Sequence, residues 1–313
     1  MGYAVDSQAM IGCVFRDFEE EHRRSTADRS GPCERLRVRG VSRRHSRVER
    51  FPFLGVISLA LLLGATSLSA ATPNVGTLLG KMQATLEPPR PSVRKLTVTI
   101  SAQDGEASHW IAGEAQKPFK DGSRILIAIL APADQKGAAY LLHHVDKQPD
   151  VEQDVYVPAV RRVRKIRRVE GFRAFLESDF TLADLGFVNM RPTRRLLDTE
   201  DRAGVRAYKI QEVPTIPEAK SYYSRIVTWI AAGSSLPLER NFYDQSGTLW
   251  KVERFEEVKD FDGVPTPLRL RMENKQEGGH TEIDVSDLRY DVDMPDSLFD
   301  PMHLREAAAW PGW

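Results

Sequence analysis

The amino-acid sequence predicts a mainly β domain of the α+β class, and three observations predict it. Apolar and polar residues alternate with period two in several stretches, glycine-containing turn pairs separate those stretches at close intervals, and helical spacing is confined to short pieces. Composition narrows the class further. The 313 residues hold 44 basic and 44 acidic side chains and two cysteines. A zero net charge lacks the surplus of cations that phosphate contacts need, so a dedicated DNA-binding protein is not expected. Two cysteines make neither a disulfide framework nor a thiolate-rich zinc site. No run of about 18 strongly apolar residues is present, which excludes a polytopic helical membrane protein.

Residues 1–40 are rich in Arg and Glu, lack apolar periodicity and contain both Cys13 and Cys33. They read as an upstream extension, disordered or the product of a misassigned start, with translation expected to begin near Val41 or Val48. Residues 41–71 read as a secretory signal peptide. Arg43, Arg44, Arg47 and Arg50 precede an uncharged apolar core from Phe53 to Ala65, and small residues at Ser69 and Ala71 follow it. The core is too short for the roughly 20 residues that span a bilayer. Cleavage is expected after Ala71, and no cysteine lies beside that site to accept a lipid, so a soluble exported product is expected. The leader holds 11 Arg and 8 acidic residues. Subtracting them from 44 and 44 leaves 33 basic and 36 acidic groups, and no cysteine, in residues 72–313.

That remainder opens with a short amphipathic helix, in which Val75, Leu78, Leu79 and Met82 recur at helical spacing and Pro88-Pro89 end the run. Strands follow. Leu96, Val98 and Ile100 alternate with Lys95, Thr97 and Thr99. Ile125 to Leu130 is apolar on both faces and predicts a strand covered on both sides. Leu268, Leu270 and Met272 alternate with Arg269, Arg271 and Glu273. Ile283 and Val285 lead into a phase change to Leu288, Tyr290 and Val292, as a bulge produces. Asp104-Gly105, Asp121-Gly122, Ser246-Gly247, Asp262-Gly263 and Gly278-Gly279 are hairpin signals. Together these segments give about ten or eleven strands. Phe172 to Leu185 reads as a helix or lid-like loop and Ser297 to Ala309 as a terminal helix. No linker divides the chain, so residues 72–313 are expected to form one domain.

Catalytic signals are sparse. There is no phosphate loop, GxSxG, HExxH or CxxC. His143 and His144 are adjacent on a strand and point to opposite faces. Asp300 and His303 read as a helix-surface pair, and Glu152 and Asp154 as two solvated carboxylates. No enzyme activity, cofactor or metal is expected. The run Arg161-Arg162-Val163-Arg164-Lys165-Ile166-Arg167-Arg168 stands apart. It fits an edge strand protected by charge, or a contact for an anionic head such as a phospholipid or lipopolysaccharide. Interleaved aromatics for base stacking are missing, so nucleic acid is not expected.

Tyr156-Val157-Pro158, the pair Arg161-Arg162, and Ser178-Asp179-Phe180 followed by Asp184-Leu185 resemble the pattern of the outer-membrane lipoprotein-sorting family. Tyr243 to Gly247, Lys259 to Pro267, Asp284 to Tyr290 and Val292 to Phe299 are also similar to it, so the resemblance spans about Val75 to Leu304. It implies the periplasmic carrier fold of LolA and LolB, an unclosed antiparallel half-barrel of about eleven strands with helices covering the concave face. It also implies a carrier or chaperone, expected to be a monomer, that holds the acyl chains of a lipoprotein or a free lipid. Leu96, Val98, Ile100, Val227, Trp229 and Leu270 are candidates to line the cavity. Arg161, Arg162 and Arg164 are candidates to meet an anionic head or an acidic partner. The alternative is an accessory module that docks to an inner-membrane transporter of the resistance–nodulation–division (RND) type.

Overall fold

The computed structural model describes residues 73–313; the expected leader and signal peptide lie outside the described residues. The first helix, α1 (Val75–Leu86), starts at an N-cap. The Asn74 side chain accepts a hydrogen bond from the Thr77 amide at 3.1 Å, meeting one of the donors a helix start leaves free. The run stops just before Pro88-Pro89, and its apolar residues pack on the sheet, with Leu78 clustering with Ile210 and Ile230.

The strands are β1 (Ser92–Ser101), β2 (Ala107–Phe119), β3 (Gly122–Ala131), β4 (Ala139–Val145), β5 (Glu152–Val157), β6 (Arg162–Lys165), β7 (Thr193–Arg202), β8 (Val205–Val213), β9 (Arg225–Ala231), β10 (Pro237–Tyr243), β11 (Leu249–Phe261), β12 (Val264–Asn274) and β13 (His280–Tyr290). All thirteen belong to one antiparallel sheet in the order β6-β5-β4-β3-β2-β1-β13-β12-β11-β10-β9-β8-β7. The first and last strands in that order do not pair, so the sheet is not closed into a barrel. All five glycine-containing pairs fall at hairpin connections between consecutive strands, with Gly122 as the first residue of β3.

The expected count of about eleven is therefore low, and the edges show how strands escape notice. All four residues of β6 are exposed, and none of the ten in β7 is buried. Neither strand has the apolar alternation that marks a half-buried one. The bulge expected near Leu288 is present. Val93 pairs with Arg289 but Lys95 pairs with Ser286, so β13 carries one extra residue, with Asp287 at φ +53°.

Alternation distributes the core over both faces of the sheet. Val98, Trp110, Ile125, Ile127, Ile129, Leu142, Phe242, Met272 and Ile283 share one face. They cluster there with Phe172, Phe180, Leu182 and Phe187 from residues 166–192, the connection that joins β6 to β7. That connection is called the strap below, and the face it packs on the strapped face. On the opposite face Val93, Ala115, Leu126 and Leu141 pack against Met294, Leu298, Phe299 and Leu304 from the C-terminal segment. The run Ile125 to Leu130 is thus covered on both sides where these layers meet.

The two pieces expected as helices fold otherwise. The strap contains two 3₁₀ turns, Arg168–Phe172 and Phe175–Glu177, and a bridge between Ala174 and Thr181. Its small polar side chains bond to its own backbone and compete with helix formation. Ser178 Oγ donates to the Phe175 carbonyl and accepts from the Phe180 amide, and Thr181 and Asp184 each accept from the other's amide. The terminal piece is broken into 3₁₀ turns at Asp296–Phe299 and Pro301–His303 and a single turn of α-helix at Leu304–Ala307. Pro301 explains the break: it forces Asp300 into an extended conformation, φ −110° and ψ 127°.

Candidate functional site

Between the strapped face, the strap and the end of α1 lies a cavity of about 130 Å³. Most of its walls are apolar. Leu96 and Val98 come from β1, Ile125 and Ile127 from β3, Leu270 from β12, and Ile283 and Val285 from β13; Phe175, Leu176, Leu185 and Phe187 close it from the strap. Period two explains the sheet's share: each strand sends every second side chain to this face.

One end of the cavity is charged. Glu87, just past the end of α1, lines it with Arg94 of β1 and Glu114 of β2, which are opposite one another in the ladder. Arg94 Nε donates to Glu114 Oε1 at 2.7 Å, and its Nη2 contacts the same oxygen. Burial pushes the Glu87 carboxyl up to about 7; a hydrogen bond with Gln83 and the charge of Arg94 oppose the rise, and neighbouring Glu114 adds to it. Arg240 of β10 also lines the cavity and lies 2.7 Å from Glu253 Oε2, with both Glu253 oxygens buried. Burial pushes the Glu253 carboxyl up to about 7, against the lowering effect of Arg240.

The strap is pinned by a buried polar network. Asp184, fully buried, accepts from Tyr223 Oη at 2.7 Å and from Lys251 Nζ at 2.6 Å. Lys251, on β11, also donates to the Asp179 carbonyl at 3.0 Å. Asp179 accepts from Thr281 of β13 at 2.8 Å, and Gln153 of β5 donates to the Phe187 carbonyl at 2.5 Å. Burial and the adjacent Asp184 carboxylate push the Tyr223 phenol well above its ordinary value, so it stays a donor. Strands from both halves of the sheet therefore hold one segment.

The sequence-predicted residues divide by face. Leu96, Val98 and Leu270 line the cavity, and Ile100 packs against the same core cluster without lining it. Val227 and Trp229 lie on the opposite face with Ala207, and the Trp229 indole donates to Glu200 at 2.6 Å. This corrects their expected position: alternation pairs residues on a face but leaves open which face is lined. Ser178 and Leu185 line the cavity, Phe180 and Asp184 are fully buried in the strap, and Asp179 is the link to Thr281. Tyr156 is buried on the opposite face, and Pro158 opens a 3₁₀ turn beside the basic run.

Arg161, Arg162 and Arg164 stand on or beside the edge strand β6 and line none of the cavity. Arg164 pairs with Glu170 and Lys165 with Glu152, whereas Arg161 and Arg162 have no ion-pair partner among the described residues. His143 and His144 separate as expected, His143 toward Asp121 and His144 against the Phe187 ring. Among the described residues no cluster of three or more His, Cys, Asp or Glu is placed to hold a metal, and no helix is long and apolar enough to cross a membrane.

Sequence reasoning missed Glu87, Arg94, Glu114, Tyr223 and Lys251. Glu114 carried a readable signal, being an acid in the apolar run from Trp110 to Ala115. Lys251 carried a weaker one, an ammonium between Trp250 and Val252.

Comparison with known proteins places these features in context. A family model described only as "-like: Uncharacterized protein" matches residues 121–306. No curated protein matches. A domain from Vibrio parahaemolyticus assigned to outer membrane lipoprotein sorting is 25% identical, with a TM-score of 0.65 over 73% of this chain and 97% of that one. A DUF1329 family protein from Desulfovibrio piger is 29% identical, with a TM-score of 0.65 over 73% and 96% of the two chains. A LolA superfamily protein from Nitrosomonas europaea shares the fold at 20% identity, with a TM-score of 0.58 over 73% and 98%.

Proposed function

We propose that this chain, matched over residues 121–306 by a family of uncharacterized proteins and 25% identical to a domain assigned to outer membrane lipoprotein sorting, is a periplasmic carrier that buries acyl chains of a lipoprotein or lipid under the strap. The observation that carries this reading is the apolar cavity between Leu96, Val98, Ile127, Leu270 and Ile283 on the sheet and Phe175, Leu185 and Phe187 on the strap. At about 130 Å³ it is close in size to an engineered cavity that holds one benzene. A long acyl chain therefore enters only if the strap lifts and the two layers part.

Magnitudes allow that exchange. A chain of about twelve methylenes gains on the order of 10 kcal/mol when it leaves water. Breaking a buried ion pair such as Lys251–Asp184 costs about 3–5 kcal/mol. Cargo can therefore displace the strap, while the empty protein keeps it shut and its phenylalanines covered.

Mass spectrometry of an organic extract from natively purified protein tests the reading. Lipid at close to one equivalent supports it, and protein purified without detergent that holds no lipid and takes up none from vesicles refutes it.

The exposed cations favour a second reading, a module that docks to an acidic surface of an inner-membrane transporter. β6 is an edge strand, and among the described residues no ion pair engages Arg161 or Arg162. Pull-down from solubilised inner membrane, with and without Arg161→Ser and Arg162→Ser, tests it. Retention of a transporter by the native chain and its loss in the variant support docking; equal retention refutes a role for these cations.

A further inference from the structure

We propose that the cavity selects amphiphiles whose buried polar group donates hydrogen bonds and carries no negative charge, a long-chain alcohol or alkylammonium rather than a fatty-acid carboxylate. This rests on the carrier reading and specifies the chemistry of the polar end.

The charge balance of the walls carries the inference. The cations lining the cavity are Arg94 and Arg240, and each is already engaged, Arg94 by Glu114 and Arg240 by the fully buried Glu253. Glu87 is a third carboxyl, in no ion pair among the described residues, and it shares the charge of Arg94 with Glu114. Above about pH 7, where Glu87 and Glu253 lose their protons, the lining groups and their partners hold two cations against three carboxylates, and no positive charge is left over for an anionic head. A carboxylate brought to this end would be buried beside Glu87 and Glu114, and an unpaired buried anion is among the costliest groups to place in an apolar interior.

The same geometry offers acceptors. Both Arg94 contacts go to Oε1 of Glu114, which leaves the carboxylate's other oxygen for a ligand. Glu87 is half-buried at the end of α1 and lines the same wall. A hydroxyl or ammonium there donates to a carboxylate, the stronger kind of hydrogen bond, while its chain runs along Leu96, Val98, Ile127 and Leu270. The basic edge at Arg161 and Arg162 is outside the cavity and does not alter this balance. An anionic group elsewhere on the same cargo has to stay outside the cavity.

Displacement of N-phenyl-1-naphthylamine fluorescence tests the inference with the native protein, using dodecanol, dodecylammonium and laurate at pH 8 below their aggregation limits. The expected result is half-displacement by dodecanol and dodecylammonium at a concentration at least about tenfold lower than by laurate, which corresponds to ~1.4 kcal/mol. Glu87→Gln narrows the preference for dodecylammonium, and Glu87→Lys turns it toward laurate. Laurate displacing the probe as well as the other two overturns the selectivity and leaves the carrier reading standing. If the probe binds and none of the three displaces it, or if the probe does not bind, the selectivity falls together with the carrier reading. Because the native competition alone decides the matter, a variant that fails to fold removes nothing from the test.

Discussion

Replacing Lys251 by Met isolates the network that holds the strap. The substitution keeps the length and apolar stem of the side chain, which lies among Tyr223, Phe242 and Trp250. It removes the ammonium from Asp184 Oδ2, 2.6 Å away, and from the Asp179 carbonyl. Asp184 is then a fully buried carboxylate without a cation, although Tyr223 Oη and the Thr181 amide still donate to it. Removing one partner of a buried pair costs about 3–5 kcal/mol, and the two remaining donors put this case near ~3 kcal/mol. Urea unfolding should show that loss. Limited proteolysis should show cleavage within residues 166–192 accelerated by roughly a hundredfold, since cleavage follows the equilibrium population of the open form. The double variant Lys251→Met with Asp184→Asn should recover part of the loss, because it leaves no charge behind. A stability change below about 1 kcal/mol, or unchanged cleavage in the strap, would refute the reasoning.

Further outcomes follow from the same structure. Phe180→Ala empties a fully buried site under the strap and should cost about 3–5 kcal/mol in urea unfolding; a loss below ~1 kcal/mol would mean that the strap contributes little to the core. Val98→Trp should fill the cavity and abolish lipid uptake from vesicles at a stability cost of about 1–3 kcal/mol. Trp229→Phe, on the opposite face, should leave uptake unchanged, and equal effects of the two would overturn the assignment of faces. Glu253 is raised from 4.5 to about 7 in the folded protein, so the folded state binds the extra proton between those values. Its contribution is then most favourable below about pH 4.5 and declines by on the order of 3 kcal/mol as pH rises through 7. Glu87 acts in the same direction. Glu273 acts oppositely: half-buried, which alone would raise it, but held by Lys275 and Arg254, it is lowered to about 2, and its contribution is lost as pH falls from 4.5 toward 2. Unfolding free energy measured from pH 5 to 8 should fall less steeply in Glu253→Gln, and an identical slope would argue against a protonated Glu253.

Where local pattern and tertiary burial agree, the fold can be read directly from the chain. The glycine pairs marked the hairpins because tight turns need residues tolerant of positive φ, as Gly105 at +88° and Gly263 at +82° show. The phase change after Val285 marked a real bulge. The strap misled because its order comes from long-range partners: Phe180 and Asp184 are fixed by Lys251, Tyr223 and the sheet rather than by helical spacing. Cavity residues were half legible for a related reason. Leu96, Val98 and Leu270 share a pattern with Val227 and Trp229, and only the register across β13, β12, β11 and β10 decides that the two sets face opposite ways.

The pairing of the first strand with the last has a consequence for how the molecule is made. Val98 faces Ile283 across the middle of the sheet, so the central ladder joins segments nearly at opposite ends of the described chain. When only β1 to β6 have emerged, β1 pairs with β2 on one side and is still an open edge on the other. The strap follows immediately, before Tyr223, Lys251, Asn274 and Thr281 exist to hold it. No early fragment can complete a layer on its own account, and contacts of such high sequence separation form slowly. Chains truncated anywhere before β13 should therefore remain open and prone to associate through β1. The completed protein acquires its middle, its cover and its cavity in one late step.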